Sequence, residues 1–173
     1  YTSRGLAPPS SIADVLEGAQ AITDMNVVHR SLPACPQMHG TGMWIGTMVA
    51  LNCGGTVITQ RTQHLDADAL LRCVVDNEVT DLTIVGDAFA RPILGALDAA
   101  SDAGKPYDLS RLGQIASSGV MWSSEIKEGL LRHHDMMLND IMGSTEGSMG
   151  GSLSTRQSAA KTAKFVIADY VKV

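Results

Sequence analysis

The sequence predicts an α/β fold, a largely parallel sheet with flanking helices. Short β-rich runs alternate with helical stretches at the spacing of strand–helix–strand units. The chain is 45% apolar and only 18% charged over 173 residues, enough for a sizeable core. No internal repeat or low-complexity tract interrupts that alternation.

The elements follow in order. Residues 1–30 read as a helical lead-in: Ser11 can cap a helix in which Ile12, Val15, Leu16 and Ala19 recur at helical spacing. Val27 to Met38 is extended in character, with Pro33 and Pro36 marking strand ends and turns. His39-Gly40-Thr41-Gly42 reads as a turn, and Met43 to Asn52 as a buried helix stopped by Gly54-Gly55. Thr56 to Thr59 is a short β-rich run. Asp66 to Asn77 is helical, with Leu70, Leu71, Val74 and Val75 on one face. Asp81 to Val85 is a strand. Ala88 to Ala100 is a helix interrupted near its start by Pro92. Leu112 to Ser117 is a strand, Ser123 to His133 a helix capped by Ser123 or Ser124, and Met136 to Ile141 a strand. Lys164 to Ile167 and Tyr170 to Val173 read as a closing β-pair.

Composition excludes some function classes. The net charge is −5 and Lys and Arg are scattered, so neither a nucleic acid nor an anionic membrane surface is the expected partner. The longest apolar run, Met43 to Leu51, is too short to cross a bilayer, and no transmembrane segment is expected. Cys35, Cys53 and Cys73 are odd in number and lack zinc or redox spacing, which fits reduced thiols of a cytoplasmic protein.

Open parallel sheets bind ligands beyond the carboxyl ends of their strands. Those ends fall at His39, near Gly86, at Ser117-Ser118-Gly119 and at Met142-Gly143. Gly40-Thr41-Gly42 begins like a dinucleotide fingerprint, but the next glycine, Gly46, comes one place late, which disfavours a nicotinamide-dependent enzyme. No Gly-x-x-x-x-Gly-Lys loop and no Gly-x-Ser-x-Gly elbow occurs. His133-His134-Asp135 fits a helix end facing solvent better than a metal site. Three segments remain. Pro36 to Gly42 places a histidine before small residues, as a pocket wall or as a turn histidine bonded to backbone. Ala116 to Met121 lets a flat ligand approach the backbone, or is an ordinary tight turn. Asp140 to Gly147 sets two hydroxyls and a carboxylate between glycines, able to hold phosphate oxygens and Mg²⁺, or to cap a helix.

In this order and spacing the three segments resemble the acyl-CoA synthetases of the adenylate-forming, AMP-binding superfamily. Gly143-Ser144-Thr145-Glu146 is similar to that family's Tyr-Gly-x-Thr-Glu motif, and Pro36 to Gly42 to its Pro-x-x-His segment. Ser117 to Met121 stands where the family has Gly-Gly-Ala-Pro. The run Gly54-Gly55-Thr56-Val57 and the region from Thr162 also resemble it, the latter in the actinobacterial branch acting on long-chain or sterol-derived acids.

The resemblance implies a partial N-terminal AMP-binding domain over residues 1–173. It also implies a two-step reaction: ATP and a carboxylic acid give an acyl-adenylate, from which CoA displaces AMP. By position, Thr145 would contact the AMP phosphate and Glu146 would bind Mg²⁺. Ser118, Gly119 and Val120 would run beside the adenine or the acyl carbonyl. Met142, Gly143 and Ser144 would complete the nucleotide surface. His39 would sit by the acyl and CoA tunnels, with Trp44 and Met121 as candidates for the acyl wall. Met142 replaces the tyrosine expected to stack on adenine. The family's lysine-bearing phosphate loop, its Tyr-Arg-Thr-Gly-Asp motif and its C-terminal domain do not occur in these residues. The chain is therefore expected to be an internal fragment without complete turnover. The alternative is a non-catalytic α/β module that keeps a nucleotide or acyl pocket.

Overall fold

The computed structural model describes residues 10–24, 28–62, 64–144, 147–158 and 160–167. The strands are β1 Arg30–Pro33, β2 Thr56–Val57, β3 Asp81–Ile84, β4 Gln114–Ser118, β5 Met137–Ser144, β6 Gly147–Ser154 and β7 Val166–Ile167. They form one sheet in the order β2-β1-β3-β4-β5-β6-β7. The first five strands in that order run parallel, while β5–β6 and β6–β7 pair antiparallel. The expected α/β architecture is thus present as a mixed, mostly parallel sheet with flanking helices. Of the expected closing β-pair, Val166 and Ile167 form β7, and Tyr170 to Val173 lie outside the described residues.

The lead-in helix α1 is Ile12–Asp24. The Ser11 hydroxyl accepts the Asp14 N–H at 3.2 Å while the Asp14 carboxylate accepts the Ser11 N–H at 3.0 Å, a reciprocal cap. Its apolar face does not reach the core: Ile12 and Leu16 are exposed.

Helix α2 opens as a wide π-helical run, Thr41–Met48, and continues as Val49–Asn52. The expected turn at His39–Gly42 is therefore the start of a helix. Its glycines serve close packing instead of a reversal. A Cβ on Gly46 would lie 2.8 Å from Pro33 Cβ, and one on Gly42 would press into the backbone of Pro36 and Gln37. The expected buried helix is buried on one side only, with Met43, Trp44, Val49 and Leu51 exposed. It ends as the two glycines require. Gly54, at φ +69°, donates to Leu51 O and Gly55 to Ala50 O, the paired bonds of a Schellman close.

Helix α3 is Ala67–Asp76, capped by Asp66, whose carboxylate accepts the Ala69 N–H at 2.9 Å. Helix α4 is Gly86–Asp102 and α5 Ser124–His133. Pro92 does not interrupt α4; it sits on the exposed side, where water can meet the carbonyl it leaves without a donor. Strand alternation sorts the two faces. Leu32, Leu82, Ile84, Ile115 and Leu138 pack with Leu70, Leu71, Ile93, Leu97, Ile126 and Leu130 of α3–α5 in the main core. Ser31, Pro33 and Thr83 point the other way, toward α2: Ser31 Oγ donates to Gly46 O at 2.6 Å. No helix among the described residues is long and apolar enough to cross a membrane.

Candidate functional site

Among the described residues, two adjoining cavities open at the carboxyl ends of β4 and β5 and share Gly119, Ile141 and Gly143. The larger, about 610 Å³, lies on the α2 side and is lined by Met38, His39, Gly40, Thr41, Trp44, Ile45, Ser118, Gly119, Ile141, Gly143 and Ser144. It joins residues of all three candidate segments, which stand far apart in sequence. The smaller, about 300 Å³, lies on the α5 side and includes Val120, Met121, Trp122, Asp140, Met142 and Phe165. The two acyl-wall candidates are therefore divided, Trp44 in the larger cavity and Met121 in the smaller.

His39 is held by its own loop. Its N–H donates to Pro36 O at 3.0 Å, and its Nδ1 accepts the Thr41 N–H at 3.2 Å. A neutral ring with Nδ1 so occupied carries its proton on Nε2. That edge faces Gly119: a Cβ there would lie 3.3 Å from His39 Cε1 and 3.8 Å from Nε2. Gly119 has φ +94°, a backbone state in which a side chain is strained. The backbone-bonded turn histidine and the pocket wall are thus the same residue.

Ser118 is buried beneath the turn, while Val120 and Met121 are more than half exposed. Ser117, wholly buried, accepts the Gly86 N–H on its hydroxyl at 2.8 Å. On β5, Ile141 and Gly143 line both cavities, whereas Asp140 and Met142 line the smaller one. A register shift between Met142 and Gly143 re-aims the strand end at the cavities. Ser144 pairs with Gly147 across β5 and β6. Thr145 and Glu146, between them, lie outside the described residues, so their phosphate and metal roles stay expectations of the sequence. Among the described residues no three His, Cys, Asp or Glu side chains could share a metal ion.

Sequence reasoning missed the charged groups beneath the smaller cavity. Lys127 is fully buried; its Nζ donates to Asp140 Oδ2 at 2.8 Å and to Lys161 O at 3.0 Å, and lies 5.3 Å from the Trp122 ring centre. Burial raises the Asp140 carboxyl above its usual range despite the lysine, which pulls it down. A lysine on a helix reads as surface in sequence, and nothing local marks it as core. A second buried pair, His29 Nδ1 to Asp81 Oδ2 at 2.9 Å, sits at the opposite ends of the strands. Burial pushes Asp81 up, but bonds from His29, Thr80 and Gln114 outweigh it and hold the carboxyl below its ordinary value.

Residues 10–171 match the family model described as AMP-binding enzyme. The chain is 37% identical, over 77% of its length, to a medium/long-chain-fatty-acid–CoA/3-oxocholest-4-en-26-oate–CoA ligase of Mycolicibacterium smegmatis, covering 23% of that protein. It is 36% identical, over 69% of its length, to a 3-oxocholest-4-en-26-oate–CoA ligase of Rhodococcus rhodochrous, covering 21% of that protein. The chain thus spans about a fifth of the length of the relatives it matches. Among solved structures, the adenylation domain of a keto acid-selecting NRPS module bound to keto acyl adenylate superposes with a TM-score of 0.64 at 17% identity. That match covers 82% of this chain and 28% of the other. The luciferase-like enzyme of the mealworm Zophobas morio superposes at 0.58 and 17%, covering 79% of this chain and 31% of that one. At such identities these likenesses speak for the fold alone.

Proposed function

The chain belongs to the AMP-binding enzyme family, and from that premise we propose that it supplies part of the substrate-binding surface of an ATP-dependent acyl-CoA ligase. The observation that carries this reading is the convergence of His39, Ser118-Gly119 and Gly143-Ser144 on one cavity at the carboxyl ends of parallel strands. The names of the relatives support a fatty or sterol-derived carboxylic acid and CoA as substrates, and the AMP-binding family supports ATP as the co-substrate.

In this reading the acid lies in the larger cavity, against Trp44 and Ile45, with its carboxylate toward Gly119 and His39. A cavity of about 610 Å³ with an indole and aliphatic wall suits a bulky apolar acid. The His39 Nε2 proton faces the reacting end, where it donates a hydrogen bond to a carboxylate or acyl oxygen. The nucleotide follows the backbone of 118–120 and of Met142 to Ser144, and the thioether of Met142 covers the base in place of an aromatic ring. Ser144 and Thr145 offer hydroxyls to phosphate. Glu146, a hard oxygen donor beside them in sequence, would hold Mg²⁺. The metal would neutralise charge on the phosphates as pyrophosphate leaves. A cytoplasmic location belongs to the same reading.

The test is product analysis on the full-length protein that carries this chain. Incubation with ATP, CoA and either a long-chain fatty acid or a 3-oxo-sterol acid is expected to give the acyl-CoA, AMP and pyrophosphate. Release of ADP and phosphate, or no acid-dependent AMP, would sink the proposal.

A further inference from the structure

We propose that Asp87, in the first turn of α4, is a positioning residue for the turn 118–121; the inference rests on the ligase reading above, which places nucleotide and acid along that turn.

Val120 and Met121 are 54% and 59% exposed, so packing does little to place them. Beside the buried Trp122, what places them is the start of α4. The Asp87 N–H donates to Met121 O at 3.1 Å. The Asp87 carboxylate then accepts, on one oxygen, the Ser123 N–H at 2.9 Å and the Ser123 hydroxyl at 3.1 Å. Its second oxygen takes Arg91 Nη2 at 3.1 Å. One residue therefore grips the chain on both sides of Trp122.

Gly86 makes the grip close. It has φ +50°, and a Cβ there would lie 2.5 Å from Met121 O and 2.7 Å from Val120 O. Only glycine lets the α4 backbone come so near the turn. The Gly86 N–H reaches back to Ser117 Oγ, so residues 117, 121 and 123 are all tied to residues 86 and 87.

Ser123 shows where its hydroxyl goes. It stands at the cap position of α5, where serine ordinarily bonds a backbone N–H of the helix, yet it makes no such bond. Its hydroxyl is given to Asp87 instead. A carboxylate receiving two donors from one residue is a charge-assisted, two-point attachment, stronger and more directional than a neutral bond. Misplacing a binding turn by about 1 Å can cost up to about a hundredfold in rate. A residue that fixes the turn therefore acts on substrate binding without touching substrate.

Three variants separate this role from general stability. Asp87→Ala removes the acceptor, Asp87→Asn keeps an oxygen for Ser123 and removes the charge, and Arg91→Ala removes only the exposed ion pair. Hydrogen exchange at the amides of 119–123 is expected to accelerate on the order of tenfold or more in Asp87→Ala, far less in Asp87→Asn, and not at all in Arg91→Ala. In the full-length protein, the ATP KM of Asp87→Ala should rise about tenfold, with Asp87→Asn restoring most of it. Ser123→Ala, which deletes one of the two bonds and spares the fold, should give a smaller effect of the same pattern. Unchanged exchange at 119–123 in Asp87→Ala or Ser123→Ala overturns the anchoring role. Faster exchange with an unchanged ATP KM, or an Arg91→Ala variant matching Asp87→Ala, overturns the positioning role. A wild-type protein that binds no ATP refutes the ligase reading, and the exchange measurement then decides on the Asp87 anchor by itself.

Discussion

Replacing Gly119 with alanine separates two contributions that the turn combines. At φ +94° the new Cβ meets backbone strain of about 1–3 kcal/mol. It also lies 3.3 Å from His39 Cε1 and 3.7 Å from Thr41 Oγ1, tight enough to push the imidazole by a few tenths of an ångström. Gly54 is the control: its φ is +69°, and a Cβ there meets nothing within 4 Å. Gly54→Ala therefore carries strain alone. Both variants should lower the thermal midpoint by several degrees, at about 2–4 °C per kcal/mol for a chain of this size. Because the His39 ring is exposed and can yield, the two losses should agree within about 1 kcal/mol. Ligand affinity should differ sharply: Gly119→Ala weakens acid binding by about tenfold or more, while Gly54→Ala leaves it near wild type. Calorimetry on the single variants, and on Gly119→Ala combined with His39→Ala, completes the cycle. In the His39→Ala background the added methyl should no longer affect acid affinity. An additive double variant, or a Gly119→Ala protein with wild-type affinity, would show that His39 and the turn do not share a ligand.

Further outcomes follow from the same geometry. In the full-length protein, His39→Ala should impair the acyl or thioester step more than ATP binding; an unchanged acid KM and turnover would return His39 to a structural role. Lys127→Ala leaves the buried Asp140 carboxyl without its cation and donor, so a loss of about 3–5 kcal/mol is expected by denaturant titration, partly restored by Asp140→Asn. An equally stable single variant would contradict the buried-pair assignment. Asp81 has a depressed carboxyl, so its stabilising contribution is present above the ordinary carboxylate range, near pH 4, and is lost as pH falls through its lower folded value. Asp81→Asn should therefore be less stable at pH 7 and flatter through that acid window, and parallel wild-type and variant curves would refute the assignment.

The alternation of strands and helices along the chain and the three site segments were legible because each leaves a local mark: a change of strand and helix pattern, and small or polar residues where a strand ends. Gly54-Gly55 announced the end of α2 for the reason that holds in the structure. Other features leave no such mark. Strand β6, Gly147–Ser154, is rich in glycine and serine and carries no β-signal. Its Gly150 is there because Val166 and Ile167 cross so closely that a Cβ would lie 3.2 Å from Ile167 Cα. Gly40 and Gly42 read as a turn because local propensity cannot distinguish a reversal from a helix pressed against a sheet. The ties of Lys127 to Asp140, His29 to Asp81 and Asp87 to Ser123 join residues 13, 52 and 36 positions apart. Only the folded sheet brings them together. The apolar stripe of α1 correctly signalled a helix, but periodicity does not say what the stripe packs on.

The most direct measurement uses the full-length protein carrying Glu146→Gln, with the two half-reactions assayed separately. Acid-dependent ATP–pyrophosphate exchange should fall by about two to three orders of magnitude, the scale of losing one electrostatic stabiliser. Extra Mg²⁺ should partly restore it. Thioester formation from pre-made acyl-adenylate should fall far less, and the thermal midpoint should barely move. Near-normal half-reactions with a midpoint lowered by a few degrees would make Glu146 a structural cap and contradict the account.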